Sequence, residues 1–277
     1  SCSPTSLAYD KTVTDEEIDG YGGVFDFSNP SNPLSDYDWA FVPACTGDVH
    51  AGNSIVEYTS RFRGSRTINH IGTANAQNVL DYVYDTYESP ERVVVAGSSA
   101  GAIGTWYWFP QIADRYAEAD VRLVADGFIG VMPPGWDALS RWQILDAISG
   151  FFPAAEGFDL SEFTADELYR LVMQAFPDRG FAMYSHAADS FQIAYYGLVG
   201  GNTITWYQRR DEYLQRLTQE PNFRYFLGAG VLHTILPFEE FYTMRVGDVQ
   251  FLAWLEQFLN GEPPENTRCT AGGVDCP

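Results

Sequence analysis

The stretch VVVAGSSAGAIGT, Val93 to Thr105, constrains this chain more than any other. A run of β-branched residues ends in Gly97-Ser98-Ser99-Ala100-Gly101 and continues into small residues with helix-forming character. An apolar strand of this kind suits a parallel sheet buried on both faces. The turn satisfies G-x-S-x-G with Ser99 at its centre. That motif puts a serine on a tight strand-to-helix turn, where its hydroxyl is exposed and the helix N-terminus adds partial positive charge. Small residues two before and two after let neighbouring backbone approach. A Gly-rich nucleotide-binding turn is the other reading, but G-x-G-x-x-G is absent. Ser99 is the candidate nucleophile, with the Ala100 N–H as candidate oxyanion donor. Ser98 points elsewhere and is structural.

The rest of the chain reads as strands alternating with helices. DWAFVPAC, Asp38 to Cys45, is an apolar run of strand length. Thr73 to Tyr87 places Ala76, Val79, Leu80, Val83 and Tyr87 on one helical face, and Ser89-Pro90 stops it. Strands follow at Arg92 to Ala96, Val121 to Ala125, Phe181 to Ser185 and Arg224 to Leu227. Helices are expected from Ser99 towards Arg115, over Ser190 to Leu198 and Asp211 to Leu217, and over Phe251 to Leu259. Near the start, Thr14 with Glu17 has the spacing of a helix cap. This alternation predicts an α/β fold with a parallel sheet flanked by helices, in a single domain over residues 1–277. Residues 133–179 differ in character. Trp136, Trp142, Phe151, Phe152, Phe158, Phe163 and Phe176 crowd this segment, and Thr164 with Glu167 forms a capping-box start. It reads as a helical, aromatic-rich cap insertion over the sheet. Its aromatics serve either packing or the stacking of substrate rings.

A serine hydroxyl needs a base, and the sequence has four histidines: His50, His70, His186 and His233. In an α/β-hydrolase the order is serine, acid, histidine, with histidine in a loop after the last strand. His233, in GAGVLHTILP, fits that order. His186 comes early, and His50 and His70 precede the serine and read as loop or packing residues. The acid belongs in a loop beside the histidine. Asp189 in HAADSFQ leads, because its strand is the nearer neighbour; Asp126 after RLVA reads as a structural or pocket-wall carboxylate.

Formal charge is −21 with a pI near 4.3, and Lys11 is the sole lysine. Such a chain repels nucleic acid and anionic membranes, so neither is an expected partner. No apolar run approaches the ~20 residues of a membrane span, and SCSPTSLAYDK lacks the features of a signal peptide. Of the four cysteines, Cys269 and Cys276 close a short loop suited to a disulfide, which leaves Cys2 with Cys45. Two bridges would require an oxidising compartment; buried free thiols are the alternative. No Cys and His cluster has metal-ligand spacing, so no metal and no cofactor are expected.

With these residues in view, the chain resembles the pectin acetylesterase and Notum family of secreted serine esterases, particularly its bacterial branch. The resemblance lies in NPLSDYDWAFVPACTGDVHAGN, INHIGTANAQNVLDYV, VVVAGSSAGAIGT, ADSFQIAYYG and GVLHTILPFEEFYT. It implies an α/β-hydrolase fold and acyl-ester hydrolysis, with Ser99 as nucleophile, Asp189 of D-x-x-Q as acid and His233 of G-x-x-H-T as base. It also implies a substrate-side place for Asp126 and Gly127, matching an Asp-Ser-Gly of the family with glycine in place of serine. The family's Gly-Gly-Gly-x-Cys stretch, source of further oxyanion N–H groups, has only its Cys end here, with Cys2 in that place. An N-terminally truncated form of a longer enzyme is the expectation. The expected function is a secreted or periplasmic carboxylesterase that removes acetyl or other short acyl groups from a carbohydrate polymer. Neutral or acetylated hemicellulose suits the negative charge better than polygalacturonate. A polyester or lipid-ester hydrolase of the same fold is the alternative, and a glycan-binding non-enzyme is the reading should the oxyanion hole be incomplete.

Overall fold

In a computed structural model of the chain, the described residues are 20–60, 64–133, 136–150, 152–153 and 164–269. The first regular unit is an antiparallel hairpin of β1 (Ser54–Ser60) and β2 (Gly64–His70), with Ser54 opposite His70. Helix α1 (Gly72–Thr86) follows at once. Then come β3 (Arg92–Ser98), α2 (Ala100–Arg115) and β4 (Asp120–Asp126). Short helices α3 (Ala138–Arg141) and α4 (Ile144–Ser149) and the longer α5 (Ala165–Ala175) lead to β5 (Gly180–His186). Helices α6 (Ser190–Leu198) and α7 (Trp206–Leu217) lead to β6 (Phe223–Gly228). The described chain closes with α8 (Glu240–Thr243), a small hairpin of β7 (Arg245–Val246) and β8 (Val249–Gln250), α9 (Phe251–Leu259) and β9 (Thr267–Arg268).

Strands β3, β4, β5, β6 and β9 lie side by side in that order and every pairing is parallel. Their apolar character on both faces follows from helices on both sides. On one face Val121, Leu123, Phe181, Met183, Phe223 and Leu227 meet α2 and α5. On the other, Val124, Ala182, Tyr184 and Phe226 meet Phe251, Trp254, Leu255 and Phe258 of α9. Trp106 of α2 lies at the centre of the first layer, stacked at 4.3 Å on Tyr169 and 5.4 Å on Phe181. No helix among the described residues is long and apolar enough to cross a membrane.

The α/β fold with a parallel sheet is as expected, and so are its four longest strands and their helices. Two expectations need correction. Residues 38–45 form no strand, because an apolar run becomes a strand only beside a hydrogen-bonding neighbour, and here it has none among the described residues. Its side chains pack on rings instead: Trp39 stacks on Phe27 at 5.4 Å, and Phe41 meets Phe25 edge-on. Cys45 is exposed and carries a free thiol, so the Cys2–Cys45 bridge is not formed; Cys2 itself lies outside the described residues. Cys269 is buried, and Cys276, with Thr14 and Glu17, also lies outside them. Of the two roles expected for the aromatics of 133–179, packing is the one seen where they are described, with Phe152 in the core and Trp136, Trp142 and Phe176 packed against it. Leu168, Tyr169, Val172 and Met173 of α5 belong to the core around Trp106, behind the expected Thr164–Glu167 capping box. None of the large apolar side chains exposed among the described residues falls in that segment; Phe151, Phe158 and Phe163 lie outside them.

Trp106 is fully buried and its indole N–H has no hydrogen-bond partner. Trp106→Ala should therefore cost about 3–5 kcal/mol in a urea unfolding titration. Trp106→Phe should cost much less, because it keeps the stacking and removes the unpaired donor.

Candidate active site

The elbow has the strain its motif requires. Ser99 takes φ 56°, a left-handed conformation that a non-glycine residue rarely adopts, between the end of β3 and the start of α2. A Cβ at Gly97 would sit 2.5 Å from the carbonyl carbon of Gly101, so any side chain there would block the turn. The Ser99 N–H donates to the Asp126 carbonyl at 2.7 Å, which locks the elbow to β4. Ala100 opens α2, and its N–H is among the helix-starting donors that have no carbonyl within the helix.

Ser99, His233 and Asp189 lie in one hydrogen-bonded chain. Ser99 Oγ is 2.7 Å from His233 Nε2, and His233 Nδ1 is 2.8 Å from Asp189 Oδ2. An ionised carboxylate only accepts, so Nδ1 carries the proton and Nε2 is left free to accept from the serine hydroxyl. Asp189 is wholly buried, whereas the imidazole keeps an open edge. Asp189 also caps α6, accepting the Gln192 N–H at 2.8 Å. The Gln192 amide donates to Asp189 Oδ2 at 2.7 Å and to Ser185 Oγ at 2.9 Å, and its oxygen accepts the Ile129 N–H at 3.1 Å. Gln192 therefore fixes the carboxylate's orientation. The spacing D-x-x-Q contains this residue, but a spacing does not say which way an amide points.

Asp126 and Gly127 are elsewhere than a substrate-side reading would put them. Asp126 is fully buried. It accepts the Ile235 N–H at 3.0 Å, the Leu236 N–H at 2.9 Å and the Ser98 hydroxyl at 2.8 Å. It is an anchor for the loop that carries His233 and is closed off from solvent. Gly127, at φ +78°, lies directly under that loop: a Cβ there would come 2.5 Å from the His233 carbonyl oxygen. The glycine is needed for the loop to sit down, and its neighbour is the histidine backbone rather than a pocket.

The other histidines do not join this chain. His70 is buried, bonded at 2.8 Å to the Tyr58 hydroxyl. His186 ends β5, 3.2 Å from the Tyr184 hydroxyl; burial pushes its pKa down to about 4, so it is neutral. His50 lies against α2 near the elbow. One residue with no sequence-level signal stands beside the site. Phe191, half exposed, stacks on the His233 ring at 4.4 Å. Val231 and Leu232, also exposed, continue this apolar rim, and the Ser190 N–H ties it together by donating to the Val231 carbonyl at 3.0 Å.

Comparison with known proteins agrees with this architecture. Residues 12–132 match the Pectinacetylesterase family model, a span that holds Ser99, Ala100 and Asp126, while Asp189 and His233 lie beyond it. The structure is similar to the Wnt deacylase Notum from Drosophila in two crystal forms. In form I the TM-score is 0.61 at 16% identity, covering 93% of this chain and 78% of that one. In form II the TM-score is 0.59 at 15% identity, with 93% and 79% covered. No curated protein sequence matches the chain. The α/β-hydrolase fold thus extends over most of the chain.

The anchoring role of Asp126 has a pH signature. Burial raises its pKa from 3.8 to about 6, against the opposing pull of the Leu236, Ile235 and Ser98 hydrogen bonds. The folded state therefore binds a proton that the unfolded state releases between these values. That contribution to stability is complete below 3.8 and is lost as pH rises through about 6. Asp126→Asn should cost about 1–3 kcal/mol, because an amide nitrogen then faces a backbone donor. The stability gap between wild type and variant should be wider at pH 4 than at pH 7, as read by denaturant titration at both.

Proposed function

We propose that this carboxylic ester hydrolase of the α/β-hydrolase fold is a secreted enzyme that removes acetyl or other short acyl groups from a carbohydrate polymer. The observation that carries the reading is the unbroken chain from Asp189 through His233 to Ser99. In this reading Ser99 Oγ attacks the ester carbonyl as His233 Nε2 takes its proton. Asp189 holds the imidazole tautomer and stabilises the imidazolium. The Ala100 N–H faces the negative charge that grows on the carbonyl oxygen. When the tetrahedral adduct collapses, His233 returns the proton to the departing alcohol. Water, deprotonated by the same imidazole, then frees the acid and regenerates the serine. These steps need no metal and no organic cofactor.

The leaving alcohol must lie beside His233, since that residue protonates it. Phe191 stacks on this ring and remains half exposed, and an aromatic face there suits the apolar face of a sugar. The charge of −21 disfavours a strongly anionic polymer such as polygalacturonate and favours an acetylated neutral one. The same charge suits a saline, extracytoplasmic setting, which is part of the proposal. A second reading has a specific observation behind it: Phe191, Val231 and Leu232 together make a rim that would also receive a lipid or polyester chain.

Hydrolysis of p-nitrophenyl acetate should vanish in Ser99→Ala, with folding intact. Asp189→Asn should lower kcat by about 10⁴-fold, the cost of holding the wrong tautomer. Acetate release from acetylated xylan, absent in Ser99→Ala, supports the carbohydrate reading. Turnover confined to long-chain glycerides or polyester would replace it with the second. Recovery of the native protein from the culture medium or periplasm, rather than the cytosol, tests its location.

A further inference from the structure

The loop over residues 46–53 is held in a conformation that chain connection alone does not require. Val49 and His50 both take left-handed φ values, 53° and 63°. For a β-branched residue such as Val49 this is a genuine outlier. Several bonds keep it there. Buried Asp48 accepts the Gly72 N–H at 2.9 Å and the Thr46 hydroxyl at 2.8 Å. The indole N–H of Trp108, on α2, donates to the His50 carbonyl at 2.8 Å. The outcome is an imidazole laid along the first turns of α2. His50 Nε2 lies 3.9 Å from the place a Gly101 Cβ would occupy, and His50 Cδ2 lies 3.0 Å from that of Gly104. Gly101 is two residues beyond Ser99, and Ala100, whose N–H has no carbonyl within the helix, lies between them.

Packing alone would be served by a leucine or phenylalanine. A histidine here brings a polar edge to the elbow, and among the described residues that edge makes no hydrogen bond. Burial lowers the pKa of His50 below 6.5 despite the pull of Asp48, so at neutral pH the ring is uncharged with one N–H to give.

We propose that His50 donates its Nε2–H to the carbonyl oxygen of the bound ester, beside the Ala100 N–H, as Ser99 adds. The inference rests on the serine-esterase reading above. In that step the Ser99 Oγ–carbon bond forms and the carbonyl π pair moves to oxygen. The serine proton goes to His233, and His50 keeps its own. His50 stabilises charge and transfers nothing.

The test uses the intact chain with p-nitrophenyl acetate as substrate and phenylboronic acid as a tetrahedral mimic. His50→Ala should lower kcat and boronate affinity by about 10²-fold each, with KM moved less than about threefold. His50→Gln, which keeps a donor, should recover part of both losses. His50→Met, of similar bulk and without a donor, should not, and this pair decides the matter should the alanine variant unfold. Equal kcat and equal boronate affinity in folded Gln, Met and wild-type proteins would overturn the role. A fluorophosphonate probe separates the two levels. Wild type labelled at Ser99 with unchanged His50 variants defeats this inference alone; a wild type that neither labels nor turns over defeats the esterase reading and this inference with it.

Discussion

The buried carboxylate of Asp126 joins parts of the chain that are distant in sequence. It takes two backbone N–H groups from residues 109 and 110 positions later and the hydroxyl of Ser98, next to Ser99. A carboxyl group in that position is expensive to bury and is tolerated because several donors converge on it. The elbow and the histidine loop are thereby referred to one common point. Gly127 makes the arrangement compact, since its missing side chain lets the histidine backbone lie directly on the end of β4. These contacts hold the elbow and the histidine loop where Ser99 Oγ and His233 Nε2 are 2.7 Å apart.

The site belongs to the carboxyl ends of adjacent parallel strands, the usual position for function in open α/β sheets. Ser99 follows β3, Asp126 ends β4, Asp189 follows β5 and His233 follows β6. Each strand gives one residue, and the strict neighbour order of the sheet brings the four together. The local conformations there are unfavourable in isolation. Ser99, Val49 and His50 all sit at positive φ; Ser99 is held there by its bond to the Asp126 carbonyl and His50 by the Trp108 indole.

Much of this was legible before any coordinates. The four longest parallel strands announce themselves as apolar runs because both of their faces are covered, and α9 matches its amphipathic pattern residue for residue. Ser99, Asp189 and His233 are recognisable because motif, chain order and flanking strands agree. The β1–β2 hairpin was not legible: most of β2 is exposed, so there is no buried face to produce alternation. The apolar run 38–45 misled for the converse reason, since hydrophobicity is a property of the segment but strand pairing is a property of its neighbour. Asp126 and Asp189 look alike in sequence, each an aspartate after a strand. What separates them is which donors reach them, a tertiary fact. The aromatic segment 133–179 drew attention by composition, whereas the ring that matters at the site, Phe191, is a single residue on the second position of a helix.

The wide sequence spacing of the hydrogen-bonded chain has a consequence for how activity arises during synthesis. Ser99 emerges from the ribosome 134 residues before His233. A nascent chain that already contains the elbow has neither His233 nor Asp189, and Asp126 has not yet met the amides it will hold. β3 to β6 lie in the sheet in the order in which they are made, and His233 follows the last of these four, so the hydrogen-bonded chain is complete only once β6 is in place. Under the esterase reading, hydrolytic power is therefore withheld until β6 and the loop that follows it have been delivered and have folded. Translation itself serves as a timer on the serine.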